Sequence, residues 1–201
     1  MSVQAVTLSG VEVREQHIMT LKELHIDNTW TLFLDRDGVI NKKLEDDYVK
    51  HTTEFEFIDG TLNALRILNP IFKTIVVVTN QQCIGKKIIF PEDLELIHQN
   101  MLYEINFMKG RIDKIYYSPY LAAENHPTRK PGIGMALQAQ KDFPHIDFNK
   151  SIIVGDSMSD MEFGRNAGMK TVYISQEPKQ DERIDFNFKS LIYFAHSLTS
   201  K

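Results

Sequence analysis

Short bursts of Val, Ile, Leu, Phe and Tyr, each closed by polar or turn-forming residues, recur at wide intervals along this chain: 31–34, 75–78, 112–117, 151–154 and 171–174. Runs this short, β-branched and bounded read as buried strands. Helical patterns fill the gaps. Residues 61–68 place Leu62, Leu65 and Leu68 on one face. Residues 91–108 begin with Pro91, Glu92 and Asp93, which suit a first helical turn, and Gly110 follows their end. Residues 132–143 and 159–167 are further candidates, the last closed by Gly168. Strand then helix, repeated, predicts an α/β fold: a doubly wound, mostly parallel sheet with helices on both faces.

Two segments break this rhythm. Residues 41–58 are too long for a plain strand-to-helix connection, and their tail alternates as Glu54-Phe55-Glu56-Phe57, so they read as a small hairpin-like flap over the sheet end. No large cap domain is implied. Residues 1–28 precede the first core strand and read as an N-terminal extension to a domain spanning 29–201. Residues 186–198 are expected to add a last strand and helix.

Composition narrows the function classes. A chain of 201 residues carrying a net charge of −4 is not a strongly basic nucleic-acid binder, and no nucleic-acid partner is expected. No apolar run approaches the span of a membrane helix, and the first residues lack the basic start and apolar stretch of a signal peptide. Cys83 is the single cysteine, so an intrachain disulfide and a multi-thiolate zinc site are excluded. A reducing, cytoplasmic setting is the expectation.

Ligands of a doubly wound sheet sit outside the carboxyl ends of its strands, and polar residues gather there. Asp35, Arg36, Asp37 and Gly38 follow the first strand, and Thr79, Asn80 and Gln81 the second. Arg129, Lys130 and Pro131 precede the 132–143 helix, and Gly155, Asp156, Ser157 and Asp160 follow the 151–154 strand. Asp35 and Asp37, two apart in extended chain, point the same way. Asp156 brings a third carboxylate to that edge. Such a cluster is costly unless it binds a cation, and hard oxygen ligands suit Mg²⁺. A hydroxyl (Thr79) and an ammonium (Lys130) beside it are what a phosphoryl group needs.

The segments DRDGVIN at 35–41, TNQ at 79–81, RKP at 129–131 and GDSMSD at 155–160 resemble the four motifs of the haloacid dehalogenase (HAD) superfamily of phosphatases. Asn41, FEFIDG at 55–60 and the RKP triplet are similar to its D-glycero-D-manno-heptose 1,7-bisphosphate phosphatase and histidinol-phosphatase branch. The resemblance implies a Mg²⁺-dependent phosphomonoester hydrolase acting on a small phosphorylated metabolite, such as heptose 1,7-bisphosphate, through an aspartyl-phosphate. It implies Asp35 as nucleophile and Asp37 as general acid and base. The metal ligands would be Asp35, Asp37 through its backbone carbonyl, and Asp156, with Asp160 steadying them. Thr79, Asn80 and Lys130 would hold the phosphate. Gln81 and Arg129, with Asp47 and Tyr48 from the flap, would face the rest of the substrate.

Two departures from that branch stand out. It usually carries three cysteines and a histidine in a zinc loop before RKP. Here that stretch reads YYSPYLAAENHPTRKP, with Ser118 at the first cysteine's place and His126 without a thiol. No zinc is expected. TNQ is followed by Gln82, Cys83, Ile84, Gly85, Lys86 and Lys87 rather than small residues and an arginine, with Cys83 expected near the site mouth. Other readings are a histidinol-phosphatase or another small-metabolite phosphatase and, in a different class, a phospho-aspartate receiver that stores the phosphoryl group or a non-catalytic binding module. The acid at Asp37, beside the residue that would be phosphorylated, favours turnover.

Overall fold

The computed structural model describes residues 20–199. Among the described residues, six strands form one sheet: β1 (Thr31–Leu34), β2 (Thr74–Asn80), β3 (Lys114–Ser118), β4 (Ser151–Gly155), β5 (Lys170–Ile174) and β6 (Phe186–Phe188). Their order is β3-β2-β1-β4-β5-β6, and every pair is parallel. The chain winds outward from β1 through β2 to β3, then returns to the other side of β1 with β4. The β1–β4 junction is therefore the topological switch point, where such sheets bind ligands.

Alternate residues of each strand feed two cores. On one face Leu32, Leu34, Ile75, Val77, Ile152, Val154 and Val172 pack against Leu65 and Leu68 of α1 (Thr61–Leu68), Met101 and Ile105 of α3 (Pro91–Phe107) and Phe194 of α6 (Leu191–Thr199). On the other, Phe33, Val76, Val78 and Ile153 meet Met135 and Ala139 of α4 (Gly134–Asp142) and Phe163 of α5 (Met158–Ala167). A short helix, α2 (Gln82–Gly85), follows β2 directly. Burial on both faces is why β1, β2 and β4 read as continuous apolar runs rather than alternating ones.

The 41–58 segment departs from the hairpin expected of it. Only its base pairs: Asn41 bridges Phe57, Lys42 N donates to Glu56 O at 2.8 Å and Ile58 N to Ile40 O at 3.0 Å. The chain between is irregular, with one 3₁₀ turn at Thr52–Glu54. Phe55 and Phe57 meet edge to face at 5.0 Å and both lean on the main core, so their alternation marks an anchor rather than a strand. Of the N-terminal extension, residues 1–19 lie outside the described residues. From Thr20 the chain packs on the body, with Leu21 in the same core as Leu191 and Phe194.

Candidate active site

The ends of β1, β2 and β4, the flap and the loop before α4 enclose a cavity of about 250 Å³. Asp35, Arg36, Asp37, Thr79, Asn80, Gln81, Arg129 and Lys130 line it, with Lys43, Asp47 and Tyr48 from the flap. Sheet register brings the acids together. Leu34 pairs with Val154, and Asp35 N donates to Val154 O at 2.9 Å, so the residues after β1 and β4 emerge side by side.

The carboxylates that converge are Asp35, Asp156 and Asp160, each offering one oxygen within 4.8 Å of the others. The sequence reads the cluster as Asp35, Asp37 and Asp156; in the structure the side chain of Asp160 stands in the place expected of Asp37. Asp160 is drawn in because α5 starts there: it is fully buried and its Oδ2 accepts from Ser157 N at 3.1 Å and Ser157 Oγ at 2.5 Å. The Asp37 carboxylate is engaged elsewhere. Its Oδ1 accepts from Arg36 Nη2 at 2.8 Å and Asn41 Nδ2 at 3.0 Å, and its Oδ2 from Gln81 Nε2 at 2.7 Å.

These surroundings push the two acids of the first motif apart. Burial, reinforced by the charge of Asp160, raises the Asp35 carboxyl to about 7, with Lys130 only partly compensating. Burial would raise Asp37 as well, but Arg36, Asn41 and Gln81 outweigh it and hold this carboxyl below its ordinary value. Asp156 is raised by burial, against the pull of Lys43, whose Nζ donates to its Oδ2 at 2.8 Å. Neighbouring acids with opposed shifts mark sites where protons are exchanged.

Lys130 is buried among three acceptors: Asp35 Oδ1 at 2.9 Å, Asp160 Oδ1 at 2.5 Å and Val78 O at 2.8 Å. Burial works against its charge, but Asp160 and Asp35 more than restore it, so it stays an ammonium. Its backbone is fixed by Asn80, whose Oδ1 accepts from Lys130 N at 3.0 Å and whose Nδ2 donates to Lys130 O at 3.2 Å. Asn80 thus spends its amide on positioning Lys130. Thr79 is buried at the cavity wall and accepts from Gln81 Nε2 at 2.9 Å, leaving its hydroxyl hydrogen to donate.

The residues expected to face substrate divide. Arg129 lines the cavity, with Nη1 donating to Tyr120 O at 3.0 Å. Tyr48 lines it too, its hydroxyl accepting from Gln82 Nε2 at 2.9 Å and Lys86 Nζ at 3.0 Å. Asp47 is at the rim with its carboxylate on Lys50 at 2.6 Å. Gln81 is buried and turned inward onto Asp37 and Thr79. Cys83 is not at the mouth: it is buried behind Gln81 with Ile89 and Leu94, and burial pushes its thiol up. In the shortened loop, Ser118 Oγ and Thr128 Oγ1 lie 3.2 Å apart, His126 Nδ1 is 2.8 Å from that Thr128 oxygen, and the Tyr120 and His126 rings stack.

Sequence reading missed the buried guanidinium of Arg36, the partner His98 on α3 and the contact of Lys43 with Asp156. Gly38 has a signal of its own. Its φ is +92°, and a Cβ there would fall 2.2 Å from Asp156 Oδ2. Backbone strain of this kind costs about 1–3 kcal/mol before any clash. Gly38→Ala is therefore expected to lower the melting temperature, and an unchanged thermal melt would contradict the close approach of the two loops.

Residues 31–196 match the polynucleotide kinase 3 phosphatase family. The chain is 37% identical over 163 residues to the D-glycero-alpha-D-manno-heptose-1,7-bisphosphate 7-phosphatase of Campylobacter jejuni, covering 81% of this chain and 92% of that one. It is 35% identical over 161 residues to the D-glycero-beta-D-manno-heptose-1,7-bisphosphate 7-phosphatase of Escherichia coli K12, covering 73% and 80%. A crystal structure of D,D-heptose 1,7-bisphosphate phosphatase from B. bronchiseptica, complexed with magnesium and phosphate, superposes with a TM-score of 0.77 at 25% identity, covering 85% of this chain and 98% of that one.

Proposed function

The chain belongs to the HAD superfamily of phosphatases, and from that premise we propose that it hydrolyses a phosphate ester of a small sugar, D-glycero-D-manno-heptose 1,7-bisphosphate, with Mg²⁺. The observation that carries the substrate is the 35–37% identity to heptose-bisphosphate 7-phosphatases over most of both chains. Those two relatives are named for opposite anomers of the same sugar bisphosphate.

The donor set fits a hard dication. Asp156 Oδ1 is buried and has no hydrogen-bond partner among the described residues, and the carboxylate oxygens of Asp35, Asp156 and Asp160 crowd together. Asp35, Asp156 and the Asp37 carbonyl would hold Mg²⁺, with Asp160 steadying them. When bound, Mg²⁺ supplies neutralising charge to the phosphoryl oxygens and to the acids around it.

The steps belong to the chain's own side chains. Asp35, at the base of the cavity, attacks phosphorus as the substrate oxygen departs, giving an aspartyl-phosphate. Thr79 Oγ1 donates to the equatorial oxygens, and so does Lys130 Nζ, which exchanges its contact with Asp35 for one with the phosphoryl group as that carboxylate attacks; charge is held there through the transition state. Asp37 hands its proton to the leaving alkoxide. The low proton affinity set by Arg36 rises when a phosphate dianion enters beside it, because like charge favours the neutral acid. Asp37 then takes a proton from the water that attacks the aspartyl-phosphate, releasing phosphate and restoring Asp35. Arg129 and Tyr48, at the wall nearer solvent, contact the remainder of the sugar.

A phosphate-release panel tests this reading. Heptose 1,7-bisphosphate is expected to exceed histidinol phosphate and a 3′-phosphorylated oligonucleotide in kcat/KM by about tenfold or more, a difference of about 1.4 kcal/mol in transition-state binding. A preference for either competitor would replace the sugar reading while leaving the phosphatase chemistry in place.

A further inference from the structure

Arg36 lies between the two acids of the first motif, yet its guanidinium is only 1% exposed. Nη2 donates to Asp37 Oδ1 at 2.8 Å, and Nη1 lies 3.1 Å from Nε2 of His98, which is 62 residues away in sequence and on a different element, α3. His98 is itself buried and takes no part in lining the cavity. Its ring meets Tyr117 of β3 edge-on at 6.4 Å, which fixes its plane.

We infer that His98 is a positioning residue for the general acid, holding Arg36 in the orientation that, together with Asn41 and Gln81, keeps the Asp37 carboxylate at the cavity wall. The choice of a histidine follows from what that place can tolerate. A carboxylate there would compete with Asp37 for the guanidinium and draw it away. A second cation would repel Arg36. An apolar residue would leave Nη1 buried without a partner, and a charged donor in that state is costly. A neutral imidazole offers a lone pair and no charge. Burial first, and then Arg36, push the His98 pKa down to about 3, so the ring stays neutral. A guanidinium nitrogen can only donate, so Nε2 accepts from Nη1 and the ring hydrogen sits on Nδ1. Arg36 Nε is buried and has no hydrogen-bond partner among the described residues, so the two terminal nitrogens carry the alignment of the guanidinium.

The inference rests on the acid role of Asp37 proposed above, and the experiment separates the two. kcat/KM reports phosphoryl transfer to Asp35, and that step needs a proton only when the leaving group is a poor one. The readout is therefore the ratio of kcat/KM for an alkyl phosphate to that for p-nitrophenyl phosphate. Because it is a ratio taken on one preparation, it does not depend on the fraction of protein that is folded. D37N is expected to lower this ratio by about 100-fold, the scale of general-acid catalysis. H98L is expected to lower it by about tenfold, H98E by as much or more, and H98Q, whose amide oxygen can accept from Nη1, to restore most of it. If H98L is not recovered soluble, H98E carries the same expectation. A parental ratio in H98L and H98E beside a lowered ratio in D37N would overturn the role of His98 alone. A parental ratio in D37N would overturn the acid role, and this inference with it.

Discussion

Asp35→Asn protein is expected to fold and to release phosphate at about 10⁻⁴ of the parent rate or less, the scale of losing a covalent nucleophile. Asparagine keeps the shape of the side chain, and its carbonyl can still accept from Arg36 N and Lys130 Nζ, which Asp35 Oδ1 now does at 2.7 and 2.9 Å. Under the proposed mechanism only the attacking charge is lost. Burial and Asp160 hold the Asp35 carboxyl at about 7, against an ordinary value of 3.8. The native chain therefore keeps this proton to higher pH than the unfolded chain does. Its stability falls as pH climbs from about 4 to about 7, because there the native state binds more protons than the unfolded one. Asparagine has no such proton to lose. With divalent metal removed by EDTA, Asp35→Asn should melt no lower than the parent at pH 7.5, and its advantage should shrink on acidification. Turnover above about one per cent of the parent would mean that another group attacks phosphorus.

Phe33→Ala is expected to destabilise the fold by about 3–5 kcal/mol, a large part of the 5–15 kcal/mol available to a typical domain. Phe33 lies in β1, fully buried, with its ring 6.4 Å from that of Phe148 and edge-on to Phe163 at 6.5 Å. β1 is flanked by β2 and β4, so no neighbouring strand can move in to close the void. Aromatic edge contacts are lost together with the buried area. Asp35 is two residues farther along the same chain, and a relaxing strand end would carry it away from Lys130. Urea unfolding measures the stability loss. A midpoint shift equivalent to less than about 1 kcal/mol would show that the layer between β1 and α5 is not close-packed.

Much of the fold was legible because its core is parallel and buried on both faces. The apolar bursts predicted at 31–34, 75–78, 151–154 and 171–174 fall within β1, β2, β4 and β5, and the helix predicted at 61–68 coincides with α1. Polar residues at strand ends were harder to place. β2 runs on to Asn80 because the ladder with β3 continues through Thr79–Tyr117 and Asn80–Ser118, which apolar patterning cannot reveal. The flap reads as a hairpin because Phe55 and Phe57 alternate, yet their rings serve as an anchor on the core. Of the candidate site, the residues brought to the switch point follow from chain order alone. What each side chain does there does not. Gln81 and Asp37 are joined by a contact across two strand ends, and His98 reaches Arg36 from a helix whose pattern marks that position only as inward-facing. Asp160 was legible as a neighbour of Asp156, but its place in the acid cluster depends on how α5 begins.

The two hydrogen bonds between the Asn80 amide and the backbone of Lys130, one donated by each, give the chain a form of insulation. They tie the end of β2 to Lys130, while Gly85 N donates to Pro119 O at 3.2 Å, Arg129 to the carbonyls of Tyr120 and His126, and Gly134 N to Pro127 O at 2.8 Å, so residues 121–125 form an excursion between fixed points. That excursion follows the sheet's edge strand, where one side is open, while Asp35 leaves from a strand hemmed in on both sides. The excursion can change in length and content without dragging the ammonium out of register with the acids. Under the proposed mechanism, the parts of the cavity wall that would meet the body of a substrate can thus vary independently of the parts that would break the ester.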